Sequence, residues 1–582
     1  MAATTHPATA LTARALLTGA VIGALLTPCN IYSGLKIGWS FNMSIAGALL
    51  GVAFWRLMHD LLGTRAWGLP ENLVNQTTAS SAASIISGGL VAPIPALALL
   101  GGPVPEGALL VAWVFAVSVL GLAIAALLHG RFIAAGRLPF PAGTAAAETL
   151  SSIHGDSAEA TGRLRWLSGA AAVAGGVKLL AELSGATLRA ALPGSLPLGG
   201  KALPSVGFKQ LGIALDGSLL MVGFGAIIGL RSGLSLLLGA LIAWLGLAPW
   251  LLARGLVAPG EASGIWFGPL VEWLIWPGVA LMTVGALASL WLGRSAPARD
   301  GALREPTPFP LPLAIYLPAV VAAVALVVVL QVTLFDIPVL AAVAAVVLAA
   351  GLATVAARVV GETGIPPIGA LGKIAQLGVG AVAPGTTTPN LMGANVTGGA
   401  AGQTADLLND LRAGQLLGAQ PAPLFAAQLV GVLVGSIAGS LAYLVLVPDP
   451  ASMLLTPEWP APAVATWKAV AEVMAQGFAA LPALSVPATA VGALSGLALA
   501  LWQHRAPARW ARWAPSASAV GLAFVIPAWI AFGLCLGAVL AAGANRLAPR
   551  WSARFLVAAA AGLVAGESLA GVVSAAVAIL GG

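Results

Sequence analysis

The chain has 582 residues, 59% of them hydrophobic and only 8% charged, where a soluble domain carries about 25% charged residues. This excludes a water-soluble fold and leaves an integral membrane protein. The class is all-α, because the segments lack the period-two alternation of a membrane β-barrel. The formal net charge of +7 is no nucleic-acid signal, since the basic residues sit at the ends of apolar runs.

Loops rich in arginine stay cytoplasmic, which assigns 56–65, 129–137, 294–304, 504–512 and 546–554 to that side. The loops 101–107 and 448–462 hold only Glu106, Asp449 and Glu458 and are expected outside. Cys29 and Cys535 lie in apolar segments, so no disulfide is expected. The first ten residues are polar without a cleavage site, so Leu11 onward is expected to be a retained helix.

In chain order, 11–28 is a first apolar segment ending at Pro28. A polar interruption around Lys36 follows, flanked by Gly34, Gly38, Trp39 and Asn42. Lys36 reads either as a snorkelling lysine or as part of a broken helix pair. On a helix from Glu71, the side chains of Asn72, Asn75 and Gln76 share a face, which Ser80, Ser84 and Ser87 continue; Gly88, Gly89, Pro93 and Pro95 then bend the segment. Such a stripe serves either as a helix contact or as a polar lining. A plain span covers 108–128, Glu148 sits early in the next, and spans at 166–191 and 211–230 follow. Lys209 and Asp216 could face each other at a helix end. Further spans are predicted near 232–252, 267–292, 312–332 and 338–357, then 422–447, 484–502, 516–541 and 553–580, with an amphipathic surface piece at 465–480. The count is about 14, between roughly 12 and 16, for spans near 20 residues each. The connection from Arg294 to Pro310 divides the chain into halves, 1–305 and 306–582, that together form one transport domain; Asn72-Leu-Val and Asn390-Leu-Met echo each other across them, as in transporters built from repeats.

The stretch from Gly361 to Pro421 is the richest in polar groups. It carries Glu362, Lys373, Gln376, Asn390, Asn395, Gln403, Asp406, Asn409, Asp410 and Arg412, with prolines at 366, 367, 384 and 389 that forbid one continuous helix through it. Polar groups on broken backbone at membrane depth are tolerated only inside protein or along a watery cavity, so a binding site is expected here. Gln403, Asp406 and Asp410 follow i, i+3, i+7 spacing and share a helical face. Two carboxylates four apart repel when both are ionised; Lys373 or Arg412 could relieve this. Glu567 lies between small residues in the last span, either as a hydrogen-bonded structural acid or as a titrating group. Each charge facing lipid costs about 2.5–3.5 kcal/mol. Lys36, Glu71, Glu148, Glu362, Lys373, Asp406, Asp410 and Glu567 together would exceed the roughly 5–15 kcal/mol net stability of a domain, so they are expected to face the interior, pair or titrate.

The five histidines are isolated, no GxSxG elbow occurs, and Gly369-Ala-Leu-Gly-Lys-Ile lacks the spacing of a phosphate loop. No enzyme activity, cofactor or metal site is expected.

The words Gly34-Leu-Lys-Ile-Gly-Trp, Glu71-Asn-Leu-Val-Asn-Gln-Thr-Thr-Ala-Ser, Leu138-Pro-Phe-Pro-Ala-Gly-Thr-Ala, Gly361-Glu-Thr-Gly, the run from Asn390 to Ala419 and Gly562-Leu-Val-Ala-Gly-Glu-Ser-Leu resemble the oligopeptide transporter family, its bacterial members in particular, and the related yellow-stripe-like metal-chelate branch of plants. The resemblance implies a proton-coupled symporter of small peptides or peptide-like chelates, working as a homodimer in the cell membrane. Under that expectation Asn72, Asn75, Gln76, Asn390, Asn395 and Gln403 contact substrate. Lys36 or Lys373 meets a carboxylate, and the proton rides on Glu148, Glu362, Glu567 or the Asp406–Asp410 pair. A passive channel for small solutes is the alternative.

Overall fold

The computed structural model describes residues 11–38, 43–134, 138, 140–155, 157–184, 188–198, 204–261, 264–293, 312–363, 368–477, 482–511 and 513–581. Among these, thirteen helices are long and apolar enough to cross a membrane. The protein is an all-α polytopic membrane protein, and it divides into two compact units.

The first unit comprises Met1–Ile31, Ser40–Arg165 and Pro297–Pro448. Its helices are α1 (Ala13–Ile37, whose last turns belong to the second unit), α2 (Ser44–Leu62), α3 (Leu69–Ala83), α4 (Pro93–Leu99), α5 (Gly107–His129) and α6 (Pro141–Gly155). After α7 (Ser157–Ser184) and the helices of the second unit, it resumes with α11 (Leu313–Phe335), α12 (Val339–Thr363), α13 (Ile368–Val382), α14 (Thr387–Leu416) and α15 (Pro421–Leu446). The second unit comprises Tyr32–Trp39, Trp166–Ala296 and Asp449–Gly582. It holds most of α7, then α8 (Leu219–Ala240), α9 (Ala248–Ala253), α10 (Phe267–Gly293), α16 (Pro450–Met453), α17 (Pro462–Gln476), α18 (Ser485–Arg505), α19 (Ala508–Ala511), α20 (Ala517–Leu522), α21 (Ala528–Leu547) and α22 (Pro549–Gly581).

The helices are inside-out relative to a soluble protein. Along α15 the exposed side chains are Leu429, Leu433, Ile437 and Leu441, while Gln428, Gly431, Gly435, Ser436 and Gly439 are buried. A fourfold spacing places each set on one face, and only a bilayer favours leucine outside and glutamine within. Glycines let backbones meet: a methyl group at Gly435 would lie 2.5 Å from the Ala82 carbonyl oxygen of α3, and one at Gly496 in α18 would lie 2.2 Å from that of Leu281 in α10. Such contacts hold membrane helices together by packing rather than by a hydrophobic driving force.

Three expectations are corrected by the structure. Pro28 does not end the first helix; α1 continues to Ile37, and the Thr27 hydroxyl donates to the Gly23 carbonyl at 2.7 Å, beside the carbonyl that Pro28 leaves without its N–H. The described residues 188–198 and 204–218 are no part of a span. Strands β1 (Arg189–Ala191) and β4 (Ala214–Asp216) pair antiparallel with Arg189 opposite Asp216, and β2 (Ser195–Pro197) pairs with β3 (Ser205–Gly207). Pro193, Pro197 and Pro204 with Gly194, Gly207 and Gly212 disfavour a helix there. Asp216 accordingly pairs with Arg189 at 3.1 Å rather than facing Lys209. The 465–480 piece is α17, which buries one face through Val464, Trp467 and Ala471.

The polar stretch is interrupted as its prolines require, before α13 and between Val382 and Thr387, while everything from Asn390 to Gln415 rides on one unbroken helix of 30 residues, about 45 Å long at 1.5 Å per residue. This helix is buried along nearly its whole length, so its polar groups need no disrupted backbone to escape lipid.

The start of α3 is fixed by Glu71, which is 5% exposed and is held by Arg14 through both oxygens, by Arg65 at 2.9 Å and by the Thr12 hydroxyl at 2.9 Å. Arg14 in turn lies over Trp55 at 4.9 Å and Trp67 at 5.2 Å. Removing one partner of such a pair strands the other. Glu71→Ala is therefore expected to destabilise the first unit by about 3 kcal/mol, read as a lower thermal midpoint of the detergent-solubilised protein; an unchanged midpoint would contradict the assignment.

Candidate functional site

The polar residues of the first unit converge where α3, α14 and α15 meet. Asp410 is 2% exposed, and each of its oxygens takes one amide N–H: Gln76 Nε2 of α3 at 2.7 Å and Gln428 Nε2 of α15 at 2.6 Å. Gln403, two turns earlier on α14, donates to Gln428 Oε1 at 3.0 Å and to the Ser81 hydroxyl at 3.2 Å, and Ser81 donates to the Gln428 carbonyl at 2.9 Å. A carboxylate with four lone-pair sites accepts readily from neutral amides, and charge-assisted bonds of this kind are the stronger ones. The site thus ties three helices through one acid.

Around this core the other amides are also engaged. Asn75 Nδ2 donates to the Gly47 carbonyl at 3.0 Å and to Asn72 Oδ1 at 3.2 Å. Asn390 and Gln376 are joined by two bonds of 3.0 and 2.6 Å. Asn395 Nδ2 reaches the Gly88 carbonyl at 3.1 Å, below the bend that ends α3. All six expected substrate amides are buried at 1% exposure or less, and in this structure they bond to protein. Four buried oxygens in the group, Asn75 Oδ1, Gln76 Oε1, Gln403 Oε1 and Asn409 Oδ1, have no donor among the described residues. An unsatisfied buried acceptor costs about 1–3 kcal/mol, so these positions favour any state that brings them donors.

The expected acids differ in their surroundings. Asp406 is half-buried on α14, is hydrogen-bonded with Ser84 and lies within electrostatic reach of Asp410. Arg412 reaches Gln415 Oε1 at 2.7 Å, one turn along its own helix, and the donors seen on Asp410 are the two glutamines. Lys373 is buried on α13 and donates to the Gly369 carbonyl at 3.3 Å. Glu148 is exposed on α6, unlike the buried acids with which its sequence setting grouped it. Glu362 lies in the last turn of α12, and its side chain falls outside the described residues. Glu567 and Lys36 belong to the second unit. Glu567 accepts from the Ser218 hydroxyl at 2.7 Å and from the Leu220 N–H at 2.8 Å, so it caps the positive end of α8.

Gln428 escaped the sequence reading because it sits in a run that is apolar for 26 residues. Its signal was its register: it lies three residues before Gly431, on the glycine face that α15 presents to α3. Among the described residues no group of three or more histidine, cysteine, aspartate or glutamate side chains could hold a metal ion.

A model of the OPT oligopeptide transporter protein family matches residues 10–300 and 307–578. A putative oligopeptide transporter of Saccharomyces cerevisiae is 23% identical over 569 residues, covering 75% of this chain and 77% of that protein. A probable metal-nicotianamine transporter of rice is 28% identical over 183 residues, covering 31% of this chain and 27% of that protein. A putative oligopeptide transporter of Haemophilus influenzae is 28% identical over 218 residues, covering 37% and 31%. With the family matched along nearly all of its length and its helices built for a bilayer, this chain belongs to the OPT oligopeptide transporter family.

Proposed function

We propose that the chain is a proton-coupled symporter that imports small peptides or peptide-like metal chelates across the cell membrane by alternating access. The transport domain is built from the halves 1–305 and 306–582 and works as a homodimer, with the arginine-rich loops cytoplasmic. The observation that carries the coupling is the Asp410 carboxylate held between Gln76 and Gln428. While ionised, it accepts from both amides. Once protonated, one oxygen becomes a donor facing an N–H, and the contact survives only if a glutamine turns its own oxygen to the acid. Gln76 Oε1 has no competing donor among the described residues, so that rotation gives up no existing bond at that atom. Proton binding thus rewires the junction of α3, α14 and α15, a two-state contact of the kind a coupled carrier needs.

The substrate set proposed for this unit is Asn72, Asn75, Gln76, Lys373, Asn390, Asn395 and Gln403. The buried unpaired oxygens match peptide N–H donors better than bare cations. Asp406, Glu362, Glu148 and Glu567 are secondary candidates for the proton, since none of them is shown to join three helices as Asp410 does. The names of the relatives, which cover oligopeptides and metal-nicotianamine complexes, set the substrate range.

Two measurements test this reading. Purified protein in liposomes is expected to accumulate di- to tetrapeptides or chelated metal when the pH gradient is directed inward; uptake indifferent to that gradient, with flux far above carrier turnover, favours a passive channel instead. Asp410→Asn keeps a similar shape but cannot ionise, and it is expected to lower gradient-driven uptake at least tenfold while exchange between equal pools persists. Wild-type coupling in this variant would remove Asp410 from the mechanism.

A further inference from the structure

The second unit holds a cluster that the proposed proton site does not use. Lys36, in the last turn of α1, extends its ammonium to the backbone carbonyl of Glu458. The same ammonium lies 4.5 Å from the centre of the Trp459 ring and 5.6 Å from that of Tyr32, and the two rings meet edge to face at 5.4 Å. A lysine at this point often serves only to answer the carbonyl end of its own helix. Lys36 turns instead to a loop 422 residues further along the chain. That loop is anchored to the helix end by the Ala461 N–H on the Leu35 carbonyl at 2.9 Å.

A second cation completes the cluster. The Arg189 guanidinium lies 3.8 Å from the centre of the Trp529 ring, pairs with Asp216 at 3.1 Å and reaches the Glu458 carboxylate at 3.8 Å. Glu458 therefore serves both cations, one with its carbonyl and the other with a carboxylate that is 64% exposed and at the outer limit of an ion pair. None of the carboxylates among the described residues forms an ion pair with Lys36. An ammonium has three donors, and the described contacts of Lys36 use one of them for a hydrogen bond. Two ring faces favour a cation there but supply no counter-charge.

We propose that Lys36 and Arg189 form a carboxylate-binding site, taking the terminal carboxylate of a small peptide or peptide-like ligand, and that Glu458 is the loop group this carboxylate displaces. The aromatic walls set the class: a carboxylate attached to a body that packs on Trp459 and Tyr32, rather than an inorganic anion. The inference rests on the carrier reading above and adds a binding step in the second unit.

The experiment measures binding to purified full-length protein in detergent, with di-, tri- and tetraalanine as free acids and as C-terminal amides. At least one free acid is expected to bind about tenfold more tightly than its amide, as a charge-assisted bond predicts. Lys36→Gln reduces that preference to about one, Lys36→Arg keeps most of it, and Glu458→Gln tightens the free acid severalfold by freeing Arg189 of its carboxylate, the carbonyl that meets Lys36 being unchanged. The site is overturned if no free acid outperforms its amide in the wild type, or if Lys36→Gln keeps the wild-type preference. Uptake measured on the same protein separates the two readings. Transport without free-acid preference overturns the site and leaves the carrier standing, whereas free-acid preference without transport supports the site and overturns the carrier.

Discussion

A carboxylate inside a bundle of membrane helices must be given donors, and Asp410 receives them from two different helices at once. That demand orders much of the first unit. For Gln76 and Gln428 to reach the same side chain, α3 and α15 must both approach α14 at one level. A carboxylate in hydrocarbon has no competing water to fall back on, so the register of the three helices is fixed by polar geometry as much as by packing. The alternative, an acid pointing outward, would put a charge in lipid on a helix whose amides Asn390, Asn395, Gln403 and Asn409 are buried in the bundle.

Close approach is what makes that geometry reachable. Gln428 lies one turn from Gly431, where an added methyl group would stand 2.4 Å from the Thr78 carbonyl oxygen. With an alanine there the helices would have to part, and the amide of Gln428 would lose its reach. Glycine is a poor helix former in water. Here it sits where backbone meets backbone, and the cost in propensity is offset by packing and by the polar contacts that packing permits.

Much of this was legible in the residues. The face Asn72, Asn75, Gln76 and the spacing of Gln403 and Asp410 follow from helical periodicity alone, and the structure does bring Gln76, Gln403 and Asp410 into one network. What periodicity could not supply was the partner across the interface, because Gln428 is set by tertiary contact and not by its own neighbours. Of the prolines expected to break helices, Pro384 lies in the break between Val382 and Thr387, whereas Pro28 and Pro389 lie inside α1 and α14. A proline inside a long helix costs one hydrogen bond, and α1 bears that cost at Pro28 and continues to Ile37. Pro389 sits in the first turn of α14, where the missing N–H has no partner to lose. The hairpins at 189–216 were missed because short strands among glycines carry no hydrophobic period to read.

One close helix contact occurs twice in the first unit. Helix α14 begins 318 residues after α3, and α15 begins 314 after α5. Gly435 of α15 packs on Ala82 of α3, where a methyl group would lie 2.5 Å from the carbonyl oxygen; Gly121 of α5 packs on Ala400 of α14, where it would lie 2.7 Å from it. Gly121 is offset by 314 from Gly435, and Ala82 by 318 from Ala400. The same crossing is therefore made by both pairs of helices with their roles exchanged, which is what duplicated halves would produce. The polar network is not duplicated. The positions that these offsets match to Gln76, Gln403, Asp410 and Gln428 are Ala394, Ile85, Ala92 and Val114, all apolar. The glycine contact is made twice, while the acid and its two glutamines occur in one copy only, where α14 runs on past the point at which α3 has ended at Ala83.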